Sequence, residues 1–337
     1  MVLNSVSDDK FKASIDIGTN TIRCLVIGPN SNFLSPDCVD MKIIRLGENF
    51  KKEGVITQNS INRLKDALKV YLEKIKNYGI KPENVVITGT SVLRDAPNAK
   101  DIKDAIFNEF GFKLEIISGE KEALITLKGI SNCFNGINEF YSIDIGGGST
   151  EYVCVKNGSP LWKYSLNMGV VHLTEEIIKT DPVSEENLKE LESRIEQKLN
   201  FLKTKIKETG YIFKTESATT QTGSAKSTMS ATQTMSTMPK LFGTAGTSTT
   251  IAMVDLNMKS YDRLKVHGYF VSREKTAEIY KRFAASKIYD RLKIAGVEAG
   301  REDLVLAGAA IMLKSMDFFE VSGFTVSECG LLEGLIS

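Results

Sequence analysis

The chain is expected to fold as an α/β protein of two similar lobes with mixed sheets, and three observations carry that expectation. A short motif occurs twice, as Asp16-Ile17-Gly18-Thr19-Asn20-Thr21 and as Asp144-Ile145-Gly146-Gly147-Gly148-Ser149-Thr150. Each copy is followed by the same succession of three strand-like runs and then alternating helices and strands. The length, 337 residues, is long for one hydrophobic core and suits about two domains.

The first copy ends the apolar run 13–17 and precedes the run 22–27, and the second stands in the same way between 141–145 and 152–155. Both read as strand, glycine turn, strand. Glycine lets the backbone approach a ligand closely, and successive N–H groups beside hydroxyls form a concavity suited to phosphate, while the leading aspartate can hold a cation. Either copy alone reads as an ordinary hairpin turn. Together they imply two lobes facing one anionic ligand.

In the first lobe a strand is expected over 41–46, then a helix over 58–77 whose Ile61, Leu64, Leu68, Leu72 and Ile75 recur at helical spacing. A short β-branched run at 85–87 enters Thr88-Gly89-Thr90-Ser91, followed by a helix over 102–110, a strand over 114–117 and a helix over 120–130. The second lobe repeats this with strands over 140–145, 151–155 and 161–166, and later a strand over 240–242 leading into Gly243-Thr244-Ala245-Gly246-Thr247. Such alternation argues against a barrel or a helix bundle. The longest helix is expected over 185–207, with Ser184 as N-cap and one apolar stripe that reads as core. The segment 215–238, almost wholly Ser, Thr, Ala, Gln and Met, cannot bury enough surface to offset its ordering entropy and reads as a mobile insertion.

Composition narrows the function. Lys and Arg number 43 and Asp and Glu 42, a net charge of +1, so a polyanion must be gripped by a local cluster and non-specific nucleic-acid binding is not expected. The five cysteines are scattered without a C-x-x-C pair, which suggests reduced thiols in a cytoplasmic protein rather than disulfides or a zinc site. The polar N-terminal stretch is unlike a signal sequence, and no apolar run approaches the roughly 20 residues that cross a bilayer.

Arg94 follows a Thr/Ser/Gly turn at a strand's end, where open α/β sheets bind ligands, and its guanidinium suits bidentate phosphate contact. Glu120 and Glu122 open a helix on different faces, so one of them is expected to look into a cleft, and both could simply complement the helix dipole. His172 and His267 are too few and too far apart for a histidine-rich metal site, and neither reads as catalytic.

These motifs, with Ile116-Ile117-Ser118-Gly119-Glu120-Lys121-Glu122-Ala123, Val266-His267-Gly268-Tyr269 and the tail from Val326, closely resemble the exopolyphosphatase/guanosine pentaphosphate phosphohydrolase family. The resemblance covers nearly the whole chain except the extreme N-terminus and 215–238. It implies two actin-like (ribonuclease H-like) lobes, divided at 1–132 and 133–329 with a helix near 330–337 packing back on the first, and hydrolysis of terminal phosphoanhydride bonds with Mg²⁺. Glu122 aligns with the family's catalytic base, Asp144 and Glu151 with acidic positions at the metal and the water, and Asp16 assists as a metal ligand from the other lobe. Phosphates are expected at Gly18, Thr19, Asn20, Thr21, Arg94, Gly146, Gly147, Gly148, Ser149 and Thr150, and also at Gly243, Thr244, Gly246 and Thr247. The chain departs from many relatives in having Lys121-Glu122 for Glu-Glu and Ser327-Glu328-Cys329-Gly330 for an Asp-x-Gly pattern.

The resemblance makes inorganic polyphosphate the expected substrate and guanosine pentaphosphate the alternative, and it implies a homodimer of a short form without the HD-type domain. An actin-like ATP-binding kinase or ATPase would use the same turns, and a non-catalytic nucleotide sensor would keep the fold without needing Glu122, Asp144 and Glu151.

Overall fold

The computed structural model describes residues 10–211 and 240–337, so the expected insertion at 215–238 lies outside the described residues. The first half runs β1 (Lys12–Ile17), β2 (Thr21–Ile27), β3 (Cys38–Ile43), α1 (Phe50–Glu53), α2 (Gln58–Lys76), β4 (Val86–Gly89), α3 (Ser91–Asp95), α4 (Ala99–Phe110), β5 (Glu115–Ile116) and α5 (Gly119–Cys133). The second runs β6 (Phe140–Ile145), β7 (Thr150–Lys156), β8 (Ser159–Leu166), α6 (Val170–Ile177), α7 (Glu185–Glu208), β9 (Lys240–Thr244), α8 (Ala245–Asp255) and α9 (Arg263–Val266). It ends with β10 (Phe270–Ser272), α10 (Arg273–Ala285), α11 (Ile288–Arg291), α12 (Val305–Phe319), β11 (Gly323–Val326) and α13 (Leu331–Ile336).

The sheets repeat one plan. The first is ordered β3-β2-β1-β4-β5, and the second contains β8-β7-β6-β9-β11 with β10 added at its edge. In both, the first three strands pair antiparallel and the fourth and fifth add on parallel. The duplicated mixed α/β lobe is therefore present. The first sheet's fifth strand follows one helical layer, whereas β11 takes that place only after a run of helices, which local periodicity did not reveal.

Local signals account for most elements. Ser118 accepts a hydrogen bond from the Lys121 N–H to cap α5, and Ser184 does the same from Asn187 for α7. In α7 the stripe Leu191, Ile195, Leu199, Leu202 and Ile206 is buried, each side chain contributing about 1.5–3 kcal/mol of apolar transfer. The strand expected over 41–46 instead ends at Ile43, because Arg45 turns into the left-handed region at φ 43° and the N–H groups of Ile44 and Arg45 both donate to the Asn20 carbonyl.

Two helices change sides. From β5, α5 carries Ala123, Leu127 and Ile130 into a core with Phe140, Val153 and Phe242 of the second sheet, while α13, following β11, buries Leu332 and Ile336 against Leu25 and Ile27 of the first. Their backbones nearly touch: a Cβ on Gly129 would lie 2.0 Å from the Gly330 carbonyl oxygen, and one on Gly334 1.9 Å from that of Ile125. Only glycine fits there. This crossing corrects the expectation of reduced thiols, because it brings the end of α5 to the start of α13 and joins Cys133 to Cys329 in a disulfide; Cys24, Cys38 and Cys154 stay free. Among the described residues no helix is long and apolar enough to cross a membrane.

Candidate active site

The two glycine turns are built alike. In the β1–β2 hairpin Asp16 faces Arg23 and the Gly18 N–H donates to the Thr21 carbonyl over 2.9 Å; in the β6–β7 hairpin Asp144 faces Glu151 and the Gly146 N–H donates to the Ser149 carbonyl, also over 2.9 Å. The register is thus the same, with a base beside the aspartate in one lobe and an acid in the other. The turns also face each other closely: a Cβ on Gly147 would meet Thr19 Cβ at 2.9 Å, and one on Gly148 would meet Ser91 Oγ at 2.2 Å. These glycines admit the close approach of the opposite lobe.

A cavity of about 100 Å³ lies at this meeting, lined by Asp16, Gly18, Thr19, Asn20, Thr21, Glu122, Asp144, Gly146, Gly147, Gly148, Ser149, Gly246 and Thr247 from the expected set. Other expected residues are placed differently. Thr150 is fully buried and its hydroxyl donates to the Met168 carbonyl. Gly243 sits within β9 opposite Ile143, where a Cβ would strike Ser248 Oγ of α8 at 2.5 Å and Phe324 of β11 at 2.9 Å, so close packing against both elements explains it. Thr244 lines a second cavity of about 290 Å³, which shares Arg23, Ala245, Gly246 and Arg301 with the first. Arg94 is engaged: its Nη1 donates to Glu122 Oε2 at 2.7 Å and to the Ile117 carbonyl at 3.1 Å, and its Nη2 to Ser149 Oγ at 3.4 Å.

Burial sorts the carboxylates. Glu122 is buried and Glu120 exposed, so α5 turns one of its two opening carboxylates into the cleft. Desolvation and the neighbouring Glu151 push the Glu122 carboxyl well above its usual range, with Arg94 opposing. Burial and Asp144 raise Glu151 to about 7, although the Ser165 hydroxyl donates to it over 2.6 Å. Burial also raises Asp144, and Arg23 opposes that shift. Arg23 donates to Asp16 Oδ2 at 2.6 Å, and although burial disfavours its charge, Asp16 and Asp144 outweigh that and hold it protonated. Glu122 and Glu151 therefore both hold their protons above the usual carboxylate range, and each influences the other's titration.

Magnesium usually binds through one or two carboxylates, completing its shell with water and phosphate oxygens. Asp16 Oδ1 is buried without a hydrogen-bond partner, and Asp144 lines the same cavity. Among the described residues no three His, Cys, Asp or Glu side chains gather into a metal-holding group. A two-carboxylate site open to substrate oxygens fits these donors; a closed protein cage does not.

Arg23, Ser165 and Arg301 were not singled out from the sequence. Arg23 had a signal, standing seven positions after Asp16 as Glu151 stands after Asp144. Arg301 had none: it arrives from the loop before α12, its Nη1 where a Gly246 Cβ would be, at 1.7 Å. His172 is buried and pushed down to about 4 by that burial, and His267 stacks on Phe134 at 4.5 Å and accepts from the Glu328 N–H. Neither lines the cavity.

Comparisons with known proteins agree on one family. The chain is 29% identical over 356 residues to a bifunctional 3-dehydroquinate synthase/phosphatase of Fusobacterium nucleatum, covering 99% of this chain but 47% of that relative, so it spans about half of that protein's length. It is 27% identical over 343 residues to exopolyphosphatase 2 of Mycobacterium tuberculosis, covering 96% of each. A solved structure of the Aquifex aeolicus member of the Ppx/GppA protein family matches with a TM-score of 0.73 and 28% identity over 97% of this chain and 96% of that one. With the Ppx/GppA phosphatase family model matching residues 34–337 as well, the chain belongs to that family.

Proposed function

We propose that this protein removes terminal phosphate from inorganic polyphosphate by Mg²⁺-dependent hydrolysis, with Glu122 as general base. The observation that carries the reading is the buried Glu122, raised by desolvation and Glu151, at the edge of a cavity formed by two facing glycine turns. Hydrolysis of a phosphoanhydride needs an oriented water, neutralised phosphate oxygens and an in-line leaving group. N–H groups and hydroxyls of the turns, among them those of Thr19 and Ser149, provide donors fixed before the substrate arrives. Asp16 and Asp144 would hold Mg²⁺, which supplies positive charge to the phosphate oxygens. The attacking water loses its proton to the ionised form of Glu122, which burial and Glu151 make a stronger base than an exposed carboxylate. Arg94 orients that carboxylate, and Ser165 orients Glu151.

Guanosine pentaphosphate is the second reading. The cavity of about 290 Å³ that shares Arg23 and Arg301 with the catalytic one provides additional space beyond the phosphate turns, lined also by Tyr261 and Arg263. Phosphate release with Mg²⁺ from long-chain polyphosphate, guanosine pentaphosphate and ATP, each with wild type and Glu122→Gln, separates these readings. Release from polyphosphate falling by about 10²–10⁴ in the variant, with polyphosphate binding kept, is expected because a base acts in the transition state. Preference for the guanosine substrate would move the assignment to the second reading, and a variant as active as wild type would remove Glu122 from its role.

A further inference from the structure

Outside the crossing helices, the lobes meet again through side chains on the rim of the cleft. Arg45 reaches across: Nη1 donates to Asp303 Oδ2 at 2.9 Å, Nη2 to Asp303 Oδ1 at 3.0 Å, and Nη2 also to the Gly300 carbonyl at 3.2 Å. This is the two-pronged pairing that lysine cannot reproduce. Nearby, the Asn49 N–H donates to Glu175 and Lys51 pairs with Glu176.

Both ends of the Arg45–Asp303 pair are built into the walls of the active site. The N–H of Arg45 donates to the Asn20 carbonyl at 2.9 Å, and the Gly47 N–H donates to the Thr19 carbonyl at 2.8 Å, so the loop bearing Arg45 holds the first glycine turn. That loop is itself pinned, because Arg63 donates to the carbonyls of Ile44 at 2.6 Å and Arg45 at 2.9 Å. Arg45 occupies φ 43°, in the left-handed region that residues other than glycine adopt infrequently and at a cost the surrounding structure must offset. On the other side Asp303 immediately precedes Leu304 and Val305, which line the catalytic cavity.

We infer that Arg45 and Asp303 are a positioning pair for phosphoryl transfer: their ion pair clasps the lobes so that the Thr19–Asn20 turn is presented against the Gly147–Gly148 turn. Neither side chain lines the catalytic cavity, so the pair acts through the turns that do. The activity readout rests on the hydrolysis proposed above, whereas a shape readout does not.

The test compares wild type, Arg45→Gln, Asp303→Asn, the double variant and Arg45→Lys in kcat and KM for phosphate release, radius of gyration by small-angle scattering, and thermal midpoint. Each single variant should lose about tenfold or more in kcat, with KM changed less and the midpoint nearly kept, because small misplacements of reacting groups are costly. Its radius of gyration should increase. The double variant should be no worse than the poorer single, as for two residues acting through one contact, and Arg45→Lys should fall between. Additive losses in the double variant, or single variants with wild-type kcat or wild-type dimensions, would overturn the clasp. Should wild type release no phosphate, the hydrolytic reading fails and the scattering comparison still decides whether the pair holds the lobes together.

Discussion

Arg94 Nη1 lies 2.7 Å from Glu122 Oε2, so the guanidinium expected to grip phosphate is already engaged with the proposed base. The pairing opposes the effect of burial and of Glu151 on Glu122, and it holds the carboxylate in one orientation.

Arg94→Gln should therefore move the acidic limb of the pH–activity profile to higher pH. Arg94 favours the ionised form of Glu122; without it the carboxyl keeps its proton to a higher pH, and the base is active only above that point. A profile of kcat/KM against pH checks this, and an unmoved limb would mean that Arg94 acts on the substrate instead.

Glu151 makes a stability prediction. Its folded pKa of about 7 exceeds the ordinary carboxylate value of 4.5, so between those limits the folded state binds more protons than the unfolded state and loses stability as pH rises. Glu151→Gln removes that dependence, and above pH 7 without Mg²⁺ it should be more stable than wild type by up to about 3 kcal/mol. Thermal midpoints of both proteins from pH 4.5 to 8 should converge at the acid end and separate at the basic end. Parallel curves would contradict the shift.

Gly148→Ala should part the turns, since its Cβ would stand 2.2 Å from Ser91 Oγ. Turnover should fall at least tenfold, in line with the cost of misplacing reacting groups. The double variant Gly148→Ala/Ser91→Gly should recover part of the loss. No recovery would place the requirement for glycine at the ligand instead of at the opposite lobe.

The disulfide between Cys133 and Cys329 closes a separation of 196 residues across the two crossing helices. Cys329→Ser should lower stability by about 2–4 kcal/mol. Thiol reductant should lower the midpoint of wild type toward that of the variant while leaving the variant unchanged. A wild type indifferent to reductant would mean that the two thiols are not joined in solution.

Much of this protein was determined by local sequence. Alternating apolar runs, two glycine turns and well-signalled helix starts at Ser118 and Ser184 specify the duplicated strand–turn–strand units, because hairpins and caps depend on residues a few positions apart. The same local register set Asp16 opposite Arg23 and Asp144 opposite Glu151. Tertiary structure decided how these units act on one another. It assigned β11 as the second sheet's fifth strand, sent α5 and α13 across to opposite lobes, joined Cys133 to Cys329, and brought Glu122 beside Glu151 and Arg94. Those outcomes depend on contacts between distant segments, for which periodicity and capping carry no signal; shape complementarity, such as Gly129 against Gly330, selects them only when the whole chain packs.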